Sequence, residues 1–128
     1  MSKRIIIAGG GTGGHIFPAI AIANALRKKD ETIEILFVGA NGKMEMEKVP
    51  LAGYKIIGLP IAGLQRKLTL SNLILPFKVI KSFLMARKIV KDFNPDVTIG
   101  VGGYASATLI YAASTCKVPV IVCGLVAL

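Results

Sequence analysis

Tryptophan is absent from the chain, histidine occurs once, and cysteine occurs twice, at Cys116 and Cys123. One imidazole and two separated thiols supply neither a metal-ligand spacing nor a disulfide framework, so a domain stapled by zinc or by disulfides is excluded. No secretory signal is legible: Met1-Ser2-Lys3-Arg4 leads into only four apolar residues before Gly9, too few for the hydrophobic core of a signal peptide. A cytoplasmic protein is expected. Val97 to Cys116 runs for 20 residues without a charge, the length of a membrane span. Gly100, Gly102, Gly103, Ser106, Thr108, Ser114 and Thr115 interrupt it, and it divides more naturally into a strand, a glycine turn and a short helix.

Acidic residues are scarce, seven against 16 Lys and Arg, for a net charge of +9. None lies between Glu47 and Asp92, whereas Lys48, Lys55, Arg66, Lys67, Lys78, Lys81, Arg87, Lys88 and Lys91 all do. This interval carries the whole excess, since the rest of the chain has seven charges of each sign. An anionic partner follows as an expectation: a phosphorylated ligand, lipid headgroups or nucleic acid. What the chain has in abundance is apolar surface, with 53% hydrophobic residues over 128 positions and a mean hydropathy of +0.64. That excludes a disordered chain and supports one domain with a real core.

Short apolar runs alternate with helical patterns. Arg4 to Ala8, Ile33 to Val38, Tyr54 to Gly58, Val97 to Val101 and Val118 to Val122 read as strands. Between them, Ala19 to Lys29 behind Pro18, Lys43 to Ala52, Ser71 to Phe93 before Asn94-Pro95, and Tyr104 to Ser114 read as helices. This alternation predicts an α/β fold, a doubly wound Rossmann-like parallel sheet with helices on both faces.

Gly9-Gly10-Gly11-Thr12-Gly13-Gly14-His15 lies between the first strand and the first helix. Glycines let consecutive N–H groups approach a ligand, and the following helix adds roughly half a positive charge at its amino end. A phosphate or diphosphate is the expected guest. Gly9, Gly11 and Gly14 satisfy G-x-G-x-x-G, but the second strand ends Val38-Gly39-Ala40-Asn41 without the carboxylate that holds a ribose diol. His15-Ile16 also stands where a P-loop needs Lys-Ser/Thr. A second loop, Gly100-Val101-Gly102-Gly103-Tyr104-Ala105-Ser106, follows the fourth strand. The first and fourth strands flank the topological switch point, so both loops are expected to open into one crevice. Ser106 contacts the ligand or caps the next helix. His15, at a helix start whose dipole favours the neutral imidazole, is a general base, a phosphate ligand or a structural residue; geometry decides among the three.

The long helix has two apolar stripes. Leu75, Val79, Phe83, Ala86 and Val90 share one face, enough to pack it on the sheet. Leu73, Phe77, Ile80 and Leu84 form another about 120° away at 100° per residue, near Lys78, Lys81, Lys88 and Lys91. An apolar stripe flanked by cations suits a membrane surface, or else contact with another domain or subunit.

Gly10-Gly11-Thr12-Gly13-Gly14-His15 with Phe17-Pro18-Ala19, Met44-Glu45 with Val49-Pro50, Ile61-Ala62-Gly63-Leu64, and Pro95-Asp96-Val97 with Gly102-Gly103-Tyr104 closely resemble the MurG family. That family, within glycosyltransferase family 28, makes lipid II in peptidoglycan synthesis. The resemblance runs from about Lys3 to Val122 and implies the N-terminal half of an inverting GT-B transferase. Such an enzyme moves N-acetylglucosamine from UDP-GlcNAc to the C4 hydroxyl of lipid I, with no metal or other cofactor and no nucleic-acid partner. By resemblance, His15 is a candidate base. Thr12, Gly13, Gly14, Gly102, Gly103, Tyr104 and Ser106 embrace the acceptor diphosphate, and the long helix rests on anionic lipid of the inner membrane's cytoplasmic face. The departures are Ala107-Thr108 after the second loop and Cys123-Gly124-Leu125 where the family has a His-Glu-Gln-Asn-type segment. The expected organisation is one acceptor-binding domain, 1–128, with the donor-binding C-terminal domain absent; a membrane-adaptor subunit of a split GT-B transferase is the alternative.

Overall fold

The computed structural model describes residues 3–9, 13–60, 75–102 and 104–122. Five strands, β1 (Arg4–Ala8), β2 (Glu34–Ala40), β3 (Lys55–Leu59), β4 (Val97–Gly100) and β5 (Val120–Val122), alternate with four helices. The helices are α1 (Gly13–Lys29), α2 (Glu45–Leu51), α3 (Leu75–Phe93) and α4 (Tyr104–Thr115). The strands form one parallel sheet in the order β3-β2-β1-β4-β5. The chain builds outward from β1 to one edge, then crosses back and builds to the other. The switch point therefore lies between β1 and β4, the arrangement that alternating strands and helices predict.

Side-chain alternation along the strands divides the core in two. Ile6, Leu36, Val38 and Ala40 face α3 and α4, where they pack with Ala86, Val90, Ala105, Leu109 and Ala112. Ile5, Ile7, Ile35 and Phe37 face α1 and α2, against Ile16, Ala19, Ala23 and Val49. Each large side chain so buried contributes about 1.5–3 kcal/mol. The face of α3 read as core-forming is so placed: Ala86 and Val90 are buried and Phe83 packs at the margin, while positions 75–79 enter the helix by backbone alone. Positions 71–74 lie outside the described residues. The uncharged run 97–116 becomes β4, a turn and α4, and no helix among the described residues is long and apolar enough to cross a membrane.

Most element boundaries differ from the sequence reading, the majority by a residue or two, and three of the differences are instructive. Pro18 sits six residues into α1, not in its first turn; without an N–H it leaves the carbonyl of Gly14 without a helical donor. β2 runs on to Ala40. β5 starts at Val120 instead of Val118, because the α4 terminus uses those residues: Lys117 adopts a left-handed φ of 61° and the Val118 N–H returns to the Ala113 carbonyl at 3.0 Å, a Schellman-type closure.

At the amino edge of the sheet, Arg4 ties three elements together. Its Nε donates to Glu34 Oε2 at 2.7 Å, its Nη1 to the Phe93 carbonyl at 2.9 Å, and its backbone N–H to Asp96 Oδ2 at 2.8 Å. The pair with Glu34 is about half exposed and contributes little alone, but the carbonyl at the end of α3 has no helical donor and gains one here. Arg4→Ala is expected to cost about 1–2 kcal/mol, read as a lowered denaturant midpoint with unchanged slope.

Candidate functional site

All five strands point the same way, so their carboxyl ends share one edge, and both glycine-rich segments start there. The loop that begins at Gly9 leaves β1 as the segment Val101-Gly102 leaves β4, and the two are in contact. The Val101 N–H donates to the Ala8 carbonyl at 2.9 Å, and the Gly9 N–H donates to the Val38 carbonyl at 3.1 Å. A Cβ on Gly9 would overlap the Val101 side chain and stand 3.8 Å from the Gly102 carbonyl oxygen. Gly102 has a φ of +122°, a conformation that favours glycine. The same closeness holds one residue earlier, where a Cβ on Gly100 would meet Ile110 and lie 2.6 Å from Ser106 Oγ. The glycines at the end of β4 let α4 approach the strand, and α4 in turn carries the second loop.

Gly13, Gly14 and His15 form the first turn of α1, above the end of β1. Their amino-terminal N–H groups have no helical acceptor and carry the positive end of the helix dipole. Tyr104 opens α4 from the other side of the switch point. Ser106 is the third residue of that helix and 3% exposed; it sits inside the helix, under Gly100, and not at the cap position. Thr12 and Gly103 lie outside the described residues. The helices that follow β1 and β4 therefore both start at the carboxyl edge, next to the contact between Gly9 and Val101-Gly102, and helix amino ends so placed suit a phosphorylated ligand.

The charge of the two edges differs. Asp30, Glu31, Glu34, Asp92 and Asp96 belong to segments at the amino edge. Of the two remaining carboxylates, Glu47 is exposed on α2 and Glu45 is fully buried. The carboxyl edge is thereby left nearly free of exposed anions. Among the described residues, the clear pKa shift is that of Asp30, whose carboxyl is held below its ordinary value by hydrogen bonds from the Thr32 hydroxyl and N–H. It lies in the α1–β2 turn, remote from the site. A depressed carboxyl pKa adds stability above the ordinary value of 3.8 and loses it as pH falls through the folded value. No three His, Cys, Asp or Glu side chains among the described residues come together as metal ligands would.

Two features escaped the sequence reading. Phe17 and Met44 are exposed apolar side chains near the same edge; a helical wheel of α1 would have flagged the first. The other is Glu45, whose Oε2 accepts the Ala40 N–H at 2.9 Å. A carboxylate does stand at the end of β2, delivered by α2 and not by the strand.

The stripe near Lys81 and Lys88 is exposed where it is described. Ile80 is 56% and Leu84 57% accessible, and Lys81 and Lys88 are exposed beside them. Ile80 and Phe83 of α3 face Ala107, Thr108 and Tyr111 of α4 across an apolar groove of about 340 Å³. The Phe83 and Tyr111 rings are 5.3 Å apart. Phe77 and Lys78 belong to α3 by backbone, and Leu73 lies outside the described residues.

The sequence model of the glycosyltransferase family 28 N-terminal domain matches residues 5–123. The chain belongs to this family. Among family 28 relatives, the UDP-N-acetylglucosamine--N-acetylmuramyl-(pentapeptide) pyrophosphoryl-undecaprenol N-acetylglucosamine transferase of Cytophaga hutchinsonii is 60% identical over 119 residues, 93% of this chain and 32% of that protein. Acinetobacter baumannii MurG superposes with a TM-score of 0.78 at 28% identity, over 94% of this chain and 34% of the other. The calicheamicin glycosyltransferase CalG4 superposes at 0.65 with 14% identity, over 94% of this chain and 32% of the other, a likeness of fold. The family 28 fold seen here is that of the N-terminal half of a GT-B glycosyltransferase, and the chain spans about a third of the length of the curated relatives it matches.

Proposed function

We propose that this chain is the acceptor-binding domain of an inverting transferase that moves N-acetylglucosamine from UDP-GlcNAc to lipid I. In this reading a donor-binding domain outside these residues supplies most of the UDP-GlcNAc site. The observation that carries it is the contact between the two glycine-rich turns at the β1–β4 boundary, with two helix amino ends above an edge nearly free of exposed carboxylates. A prenyl-linked diphosphate is the anion whose charge and length match two adjacent cradles. The 60% identity to the Cytophaga hutchinsonii transferase supports the same assignment.

The chemistry is a single displacement. The C4 hydroxyl oxygen of the acceptor sugar bonds to the anomeric carbon of N-acetylglucosamine as the bond from that carbon to the UDP phosphate oxygen breaks, and the configuration inverts. The hydroxyl proton passes to a base, and UDP leaves. Thr12, Gly13, Gly14, Gly102, Gly103 and Tyr104 are the proposed diphosphate contacts, Ser106 being buried under Gly100, and His15, at the amino end of α1, is the proposed base. A chimera in which this chain replaces the matching segment of the Cytophaga hutchinsonii protein should transfer N-acetylglucosamine to a lipid I analogue. A folded chimera without turnover would overturn the reading.

The exposed part of α3 is proposed to rest on anionic lipid at the cytoplasmic face of the membrane, beside the groove that α4 completes. Replacing Phe77, Ile80 and Leu84 by Ser should reduce flotation with vesicles of any composition, because hydrocarbon contact is lost. Replacing Lys78, Lys81 and Lys88 by Gln should reduce it for anionic vesicles only, and added salt should reproduce that loss. Equal loss on neutral and anionic vesicles in the lysine variant would contradict the electrostatic half of the proposal.

A further inference from the structure

Glu45 is the fully buried carboxylate of the described chain, and the proposed reaction gives it no part. Burying a carboxylate is costly unless donors surround it, so its placement asks for a reason beyond turn closure. Neighbouring residues of a strand send their N–H groups to opposite sides. The Val38 carbonyl accepts from Gly9 on the β1 side, and the Asn41 N–H donates to Leu59 on the β3 side. The Ala40 N–H therefore faces β1. Had β1 continued past Gly9 as a strand, its backbone would have supplied the acceptor; Glu45 Oε2 occupies that role at 2.9 Å.

The rest of the side chain lies on the α1 face of the sheet. A Cβ on Gly39 would stand 3.1 Å from Glu45 Oε2 and 3.2 Å from Ile56, so glycine at position 39 makes the channel through which the carboxylate reaches the strand end. Val49, one turn further along α2, packs in the same cluster as Ile16, one residue past His15. The carboxylate thus sits at the carboxyl end of β2, where β1 ends at Ala8 and β2 runs on to Ala40.

We propose that Glu45 is a positioning residue for the diphosphate cradle. It completes the hydrogen bonding of β2 where β1 breaks off, so the first loop can leave the sheet at Gly9 without stranding a buried N–H. This rests on the reading of the loops as a diphosphate site. Without that acceptor the buried Ala40 N–H would be orphaned, a cost relieved by shifting the backbone that leaves β1 at Gly9.

The test uses the chimera above and inorganic pyrophosphate as the probe. Glu45→Ala should weaken pyrophosphate binding by about tenfold or more, the scale of one lost buried hydrogen bond. Glu45→Gln, whose carbonyl oxygen can accept the same N–H, should restore affinity to within about threefold. Glu45→Asp keeps the charge but withdraws the carboxylate by one methylene; it should behave like the alanine variant, and it serves if that variant fails to fold. The UDP-GlcNAc KM should not move in any of them. A merely structural role would lower Tm and the active fraction but leave the affinity of the folded protein unchanged. Wild-type affinity in folded Glu45→Asp or Glu45→Ala therefore overturns the inference alone. No pyrophosphate binding by the unsubstituted chimera overturns the diphosphate reading and the inference with it.

Discussion

Replacing His15 by alanine should lower the rate of the chemical step in the active chimera by about 100-fold or more, the usual scale for losing a general base. His15 is the third residue of α1, the helix that follows β1 at the switch point. Single-turnover rates at saturating acceptor decide among its three candidate roles. A loss in rate with unchanged acceptor affinity identifies the base, a loss confined to affinity identifies a phosphate ligand, and a fall in Tm with neither identifies a structural residue. The pH profile adds a check, because the acid limb of kcat should vanish in the alanine variant if His15 is the group that must be deprotonated.

Gly9→Val is expected to damage both fold and site. The backbone at Gly9 has an ordinary φ, so only space forbids a side chain. That space is filled by Val101, 6% exposed at the end of β4, and a valine at position 9 must push the second glycine-rich turn away from the first. Overpacking of this kind costs about 1–3 kcal/mol, to be read from the denaturant midpoint. Because the displaced atoms are those that set the distance between the two turns, acceptor KM should also rise while the UDP-GlcNAc KM stays put. A stable variant with unchanged acceptor KM would mean that the contact between the turns has no bearing on binding.

Much of this was legible because the residues concerned act locally. Ile5, Ile6 and Ile7 before Gly9 announce a buried strand, and Asn94-Pro95 ends α3 where Asn94 takes the left-handed φ of 51°. Helical periodicity separated Ala86 and Val90, which are buried, from Ile80 and Leu84, which are exposed. Alternation of elements then placed β1 beside β4. The part that stayed hidden depends on where a flexible side chain ends up. In sequence Glu45 is one of several charged residues opening a short helix, and nothing local says that it turns back five residues to Ala40. The extension of β2 to Ala40 stayed hidden because it rests on pairing with β3, Gly39 opposite Gly58 and Ala40 opposite Leu59, a register that no local pattern states. The start of α4 at Tyr104 is legible, but that its third residue, Ser106, turns under Gly100 and is buried depends on how closely the helix packs on β4, which no local pattern states.

The strand order has a consequence for how the chain is made. β1 is central, yet its two neighbours arrive at very different times during synthesis: β2 ends at Ala40, while β4 begins only at Val97. When β3 has emerged, the first three strands and two helices can already assemble, but one side of β1 remains an open row of backbone donors and acceptors next to Ile5 and Ile7. Closing that side requires a contact across more than 90 positions of sequence, Ile5 to Val97, a late and entropically expensive event. Until then the nascent half-sheet carries an apolar edge able to pair with another chain. Ribosome-associated factors that shield such edges would therefore matter most in the interval between the synthesis of Leu59 and Gly100.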